Sequence, residues 1–164
     1  MRKPDVIVIG AGIVGAACAH ALANAGQSVL VLDARLGGAT NAGMGHLVVM
    51  DDNPAELAIS QASLTQWHAW APRMAAEAPS TAFTHCGTLW VAADAQEMQE
   101  AEHKRARLHA HGIACELLGA PQLAALEPVL RPGLHGALRV GGDSMVYAPN
   151  AAEWLLGHAS TPIQ

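Results

Sequence analysis

The chain has 164 residues and a formal net charge of -5, and its nine Lys and Arg form no long run, which excludes the electrostatic footprint of a nucleic-acid or anionic-lipid binder. Hydrophobic residues make up 51% and aromatic residues only 4%, so Ala, Val and Leu must build the core of a globular α/β chain rather than a disordered one. No apolar run reaches the length of a membrane span, and Cys18, Cys86 and Cys115 contain no C-x-x-C pair, which argues against a disulfide framework or zinc ribbon and for a reducing, cytoplasmic setting.

Val6 to Ile9 is a β-branched run suited to a strand covered on both faces of a parallel sheet. From Ile13 to Ala25 the residues are small or apolar, as in a helix packed closely on that sheet, with Gly26 as its C-terminal stop. Ser28 to Asp33 is the second strand, which completes a β-α-β unit with a right-handed crossover. A small-residue stretch from Gly37 to Gly45 and an apolar patch from Leu47 to Met50 come next. The spacing of Leu57, Leu64, Trp67, Trp70 and Met74 predicts a helix capped by Asn53, with Pro54 in its first turn, ending before Pro79. Thr81 to Ala93 reads as strand, turn at Gly87, strand. A helix capped by Asp94, with Glu97 at its third position, then runs to about His111. A strand near Cys115 to Leu118, a short helix from Pro121 to Leu126, a strand from Gly136 to Val140 and a last helix capped by Asn150 complete the pattern. No strand is expected after that helix, so the chain reads as incomplete, with the apolar faces of its two parallel strands uncovered.

The chemistry is concentrated at Gly10-Ala11-Gly12-Ile13-Val14-Gly15. A G-x-G-x-x-G run that closes a strand and opens a helix is a dinucleotide-binding fingerprint, because the first glycine permits the turn, the second lets backbone approach a pyrophosphate, and the third lets helix sit on strand. The helix N-terminus offers free N–H groups and the positive end of its dipole to the phosphates. Asp33 ends the second strand, where a carboxylate accepts hydrogen bonds from ribose hydroxyls. This motif alone leaves NAD and FAD open. The segment Gly37 to Met44, with the hydroxyl of Thr40 and a run of backbone amides, is suited to follow a pyrophosphate toward a second ring system.

Asp5 to Gly15 followed by Val29 to Asp33 resembles the N-terminus of the D-amino-acid oxidase superfamily of FAD enzymes. Ala39-Thr40 through Ala42-Gly43-Met44 is similar to the flavin-side loop of glycine-oxidase-like and D-amino-acid-dehydrogenase-like members, and Cys86-Gly87-Thr88-Leu89 and Leu126-Glu127-Pro128 match in style. Gly43-Met44-Gly45-His46 and residues 143–149 also resemble D-hydroxyproline or opine dehydrogenase subunits. The resemblance implies a Rossmann-type FAD-binding β-α-β unit over residues 1–50, part of an α+β substrate domain over 51–145, and the start of a return to the FAD-binding domain over 146–164. It implies that Gly10, Gly12, Ile13, Val14, Gly15, Asp33, Ala34 and Arg35 hold the ADP half of FAD. Ala39, Thr40, Gly43, Met44, Gly45 and His46 would hold the pyrophosphate and flavin side. The implied reaction is hydride transfer from an amine or amino acid to flavin, giving an imine. The alternatives are an NAD-linked dehydrogenase on the same fold, or a non-catalytic flavin-binding subunit of a larger complex. Family members are more than twice as long, so no catalytic residue is assigned and the chain by itself is expected to be inactive, with self-association or other subunits as its partners. His46 follows the flavin-side loop, where it either faces the flavin or is an ordinary loop histidine. His109 and His111 lie on different helix faces and His85 has no further ligands at zinc spacing, so no metal site is expected.

Overall fold

The computed structural model describes residues 3–51 and 53–164. In chain order the elements are β1 (Val6–Ile9), α1 (Ile13–Asn24), β2 (Val29–Leu32), α2 (Ala39–Ala42), β3 (His46–Leu47), α3 (Pro54–Glu77), a 3-10 turn (Pro79–Thr81), β4 (Thr88–Ala92), α4 (Ala95–Ala110), β5 (Glu116–Gly119), α5 (Ala120–Leu126), β6 (Gly136–Val140), β7 (Ser144–Met145) and α6 (Ala148–Gly157). They divide into two units, one of residues 3–46, 69–83 and 146–164, the other of residues 47–68 and 84–145, with α3 contributing to each.

In the first unit β1 and β2 pair in parallel, with Val6 opposite Val29 and Ile9 opposite Leu32. The crossover helix α1 ends in paired turns, Gly26 N–H to Ala23 O at 3.0 Å and Gln27 N–H to Leu22 O at 3.1 Å, the Schellman arrangement that the glycine permits. Ala16, Ala19 and Ala23 are fully buried, and their small size lets α6 approach α1 through Ala151, Ala152 and Leu155. Val8, Leu22, Val31, Leu156, Ala159 and Ile163 pack around Ala19, Ala23 and Val29. Trp154 stacks on the buried ring of His20, and Trp70 meets that ring edge-on at 5.6 Å.

One expectation about this unit needs correction. The last helix begins at Ala148, with Pro149 in its first turn, and Asn150 does not cap it; the Asn150 amide instead donates to Ser80 O at 2.8 Å. No strand follows α6, as expected, but Gln164 reaches the edge of β2. Val31 N–H donates to Gln164 O at 2.8 Å and Gln164 N–H to Val29 O at 3.1 Å, the pattern of a parallel neighbour on the free edge of β2. Sequence reading missed it because the segment after α6 has neither alternation nor a β-branched run.

The second unit holds an antiparallel sheet in the order β4-β6-β5, with Leu89 opposite Arg139 and Leu118 opposite Ala137. Helix α4 packs on it around Ala101 and Leu108, which join Val49, Leu57, Leu138 and Val140 in one core. Both caps form as read. Asn53 Oδ1 accepts the N–H groups of Ala55 and Glu56, and Asp94 Oδ1 accepts that of Glu97, whose own carboxylate takes Ala93 N–H at 2.6 Å. The hairpin expected over 81–93 is absent. Thr84 bridges Met145 and β4 pairs with β6, because Gly87 turns the chain to donate to Asp143 O at 3.0 Å rather than folding it back on itself. The Asp51 carboxylate, its side chain 3% exposed, accepts from Lys104 and, at 3.0 Å, from Arg107.

Candidate nucleotide-binding groove

Where β1 runs into α1 the turn is held by the end of β2. Gly10 N–H donates to Leu32 O at 2.7 Å and Ala11 N–H to Asp33 Oδ2 at 2.7 Å. The third glycine is required by contact: a methyl on Gly15 would lie 1.9 Å from Gly10 O, so any side chain would push helix from strand. The other Asp33 oxygen accepts Arg35 N–H at 2.6 Å, and Arg35 takes a left-handed conformation, φ 55°. The bonds from Ala11 and then Arg35 hold the Asp33 carboxyl below the ordinary aspartate value of 3.8. It is therefore an exposed carboxylate with one lone pair on each oxygen still open.

The small-residue segment behind Asp33 folds back onto the helix start. Thr40, in α2, accepts Ile13 N–H at 2.9 Å through its hydroxyl, while the N–H groups of Gly12 and Val14 have no hydrogen-bond partner among the described residues. A Cβ on Gly12 would stand 2.9 Å from the Thr40 hydroxyl, so the space at the helix N-terminus exists only because that residue is glycine.

These parts line one side of a groove of about 930 Å³, formed by Gly10, Ala11, Gly12, Val31, Asp33, Arg35 and residues 37–41. Pro149, Ala152, Glu153 and Leu156 of α6, with Ile163 and Gln164, line the other. The volume falls at the upper end of the range of ligand sites. Donors at a helix N-terminus, a carboxylate at the end of β2 and small residues between them fit the phosphates and ribose of a dinucleotide.

Of the residues singled out in the sequence, Gly10, Gly12, Asp33, Arg35, Ala39 and Thr40 line the groove, and Ile13 and Val14 head the helix beside it. Gly15 serves the packing beneath, and Ala34 is exposed between Asp33 and Arg35. Gly43, Met44, Gly45 and His46 do not line it. Met44 and His46 are exposed, and Gly45 carries φ 71° and accepts Val146 N–H at 2.9 Å, with no room for a side chain against Val146 O. The α6 side was not anticipated. Its one sequence signal is the spacing of Ala152 and Leu156, four apart and hence on one helix face.

Residues 5–161 match the family model described as FAD dependent oxidoreductase. Among solved structures, glycine oxidase from Bacillus cereus is 23% identical with a TM-score of 0.78, the match covering 93% of this chain and 42% of that one. Iminodiacetate oxidase from Chelativorans sp. BNC1 is 25% identical with a TM-score of 0.78, over 92% of this chain and 42% of that one. L-alpha-glycerophosphate oxidase from Mycoplasma pneumoniae, solved with FAD bound, is 20% identical with a TM-score of 0.72, over 94% and 42%. This chain thus spans about two-fifths of the length of each of these proteins.

Proposed function

Because the chain belongs to the family of FAD-dependent oxidoreductases, we propose that its groove holds the ADP half of FAD and that the whole protein oxidises an amine or amino acid. The observation that carries this reading is the groove itself, lined where β1 meets α1 by Gly12, whose N–H is open, and at the end of β2 by the Asp33 carboxylate. In this reading Gly10, Gly12, Ile13 and Val14 meet the pyrophosphate, while Asp33, Ala34 and Arg35 surround the ribose. Gly15 keeps the helix at the depth this needs. Ala39 and Thr40 steady the helix start, and Gly43, Met44, Gly45 and His46 belong to the flavin side. Bound FAD would supply the hydride acceptor; the chain's own residues bind and orient it.

The choice of an amine follows from the relatives. Two of the three solved proteins described above are named for oxidising glycine and iminodiacetate, both compounds with a C–H bond beside nitrogen. The residues 51–145 take the part of a substrate-side domain, and 146–164 carry the chain back to the nucleotide side. No residue here is assigned as a catalyst, and turnover by these 164 residues alone is not expected. The three free cysteines suit a cytoplasmic setting.

Purified protein tests this by its colour. A yellow sample that releases FAD on denaturation and is bleached without oxygen by one of a panel of D- and L-amino acids, glycine, sarcosine and hydroxyprolines supports the whole reading. Flavin that no amine bleaches would favour a binding subunit without turnover. Colourless protein that binds NADH would overturn the cofactor assignment.

A further inference from the structure

In the second unit, well away in sequence from the glycine fingerprint, a buried hydroxyl stands between two imidazoles. Ser144, 2% exposed, has its Oγ 3.2 Å from His68 Nε2 and 3.2 Å from His85 Nδ1, and the two rings lie 4.8 Å apart. The three residues come from different places: His68 from α3, His85 from the segment before β4, and Ser144 from β7. Next to Ser144 is Asp143, 1% exposed, whose carboxylate accepts Val49 N–H at 3.2 Å and bonds the Thr88 side chain.

A serine hydroxyl has one proton to give, so only one of the two ring nitrogens can accept it and the other must donate. The His68 ring already gives an N–H to the backbone of Gly142. A neutral imidazole has only one N–H, so His68 Nε2 is the acceptor, Ser144 donates to it, and His85 Nδ1–H donates to Ser144. Two protonated rings would both point N–H groups at one oxygen and strand the hydroxyl proton in a buried site, besides placing two positive charges in contact.

We propose that His85, Ser144 and His68 form a one-proton relay that sets the conformation of the turn between β6 and β7 according to pH. When His85, the exposed end, takes up a proton, its Nδ1–H bond can break as Ser144 Oγ gains that proton. Ser144 then passes its own proton to His68 Nε2. One N–H and one O–H bond break, one O–H and one N–H bond form, and no electron moves. His68 then becomes an imidazolium beside Asp143, a carboxyl on which Lys104 of α4 also acts. The turn that Asp143 ties to Val49 and Thr88 therefore sits under two charge states of one cluster. Burial, and after it the charge of His85, makes protonated His68 unfavourable, and burial raises the Asp143 carboxyl, so the neutral arrangement prevails at high pH.

Imidazole nitrogen NMR on the 164-residue protein tests the relay. In the unsubstituted protein both rings should show the Nδ1–H tautomer at high pH, and on acidification the His68 and His85 ring signals should move together. Ser144→Ala leaves the mutual repulsion of the two rings in place but should release His85 from its Nδ1–H tautomer, with circular dichroism unchanged. His85→Gln should raise the His68 midpoint and slow amide exchange at Met145 in mild acid. A wild-type His85 ring in the Nε2–H tautomer at high pH, or an Nδ1–H tautomer that persists in Ser144→Ala, would overturn the relay. Should Ser144→Ala fail to fold, an unmoved His68 midpoint in His85→Gln would do so by itself.

Discussion

Asp33 acts on its own chain before it can meet any nucleotide. Its two oxygens fix the N–H groups of Ala11 and Arg35, and so shape both the glycine turn and the start of the loop toward Thr40. Asp33→Ala should therefore weaken FAD binding by about tenfold or more, since bonds to a charged acceptor are among the stronger ones, and should do so with little loss of helix content. Titration of released FAD fluorescence measures it; equal affinity in both proteins would remove Asp33 from the site. The pH dependence has a definite sign. Because the folded carboxyl lies below 3.8, its contribution is complete above that value and is lost as the pH falls through the lower, folded value. Flavin retention should thus be flat from neutral pH down to mild acid and fail only beyond it, whatever His68 does at higher pH.

At the scale of elements, the groove depends on how closely α6 approaches α1. Leu155 is fully buried, and its carbonyl meets His20 Nδ1 at 2.8 Å, so this one turn of α6 is held by packing and by a hydrogen bond. Leu155→Ala should cost about 2 to 5 kcal/mol, the range for emptying a buried leucine site, and should loosen the wall formed by Ala152 and Leu156. Urea unfolding with and without FAD reads both effects. Gly15→Ala makes a different prediction: the added methyl meets backbone that cannot move aside, so the helix must shift from β1 and flavin affinity should fall together with stability. A Gly15→Ala protein with normal stability and normal FAD content would show that the contact is relieved cheaply.

For the whole molecule, the faces left uncovered matter most. Ile7 is 54%, Ile9 86% and Leu32 48% exposed, and they lie on the face of the parallel pair opposite the one that Val8, Val29 and Val31 turn toward α1. Such a patch promotes association between copies. Ile9→Lys should lower the concentration-dependent mass seen by sedimentation while leaving the circular dichroism spectrum alone; an unchanged mass would place the contact elsewhere. The β-α-β unit, its glycine fingerprint, Asp33 and the caps at Asn53 and Asp94 were legible in the sequence because each rests on local rules: backbone freedom at glycine, hydrophobic period, and side chains that bond N–H groups a few residues away. Thr40 could be placed near the phosphates by its loop, but its bond to Ile13 N–H spans 27 residues and no local rule contains it. The same holds for the pairing of Gln164 with β2, the wall that α6 adds to the groove, and Ser144 between His68 and His85, 76 and 59 residues away. Local propensity determined which segments are helix, strand or turn; only packing, which brings together residues far apart in the chain, decided which of them share a site.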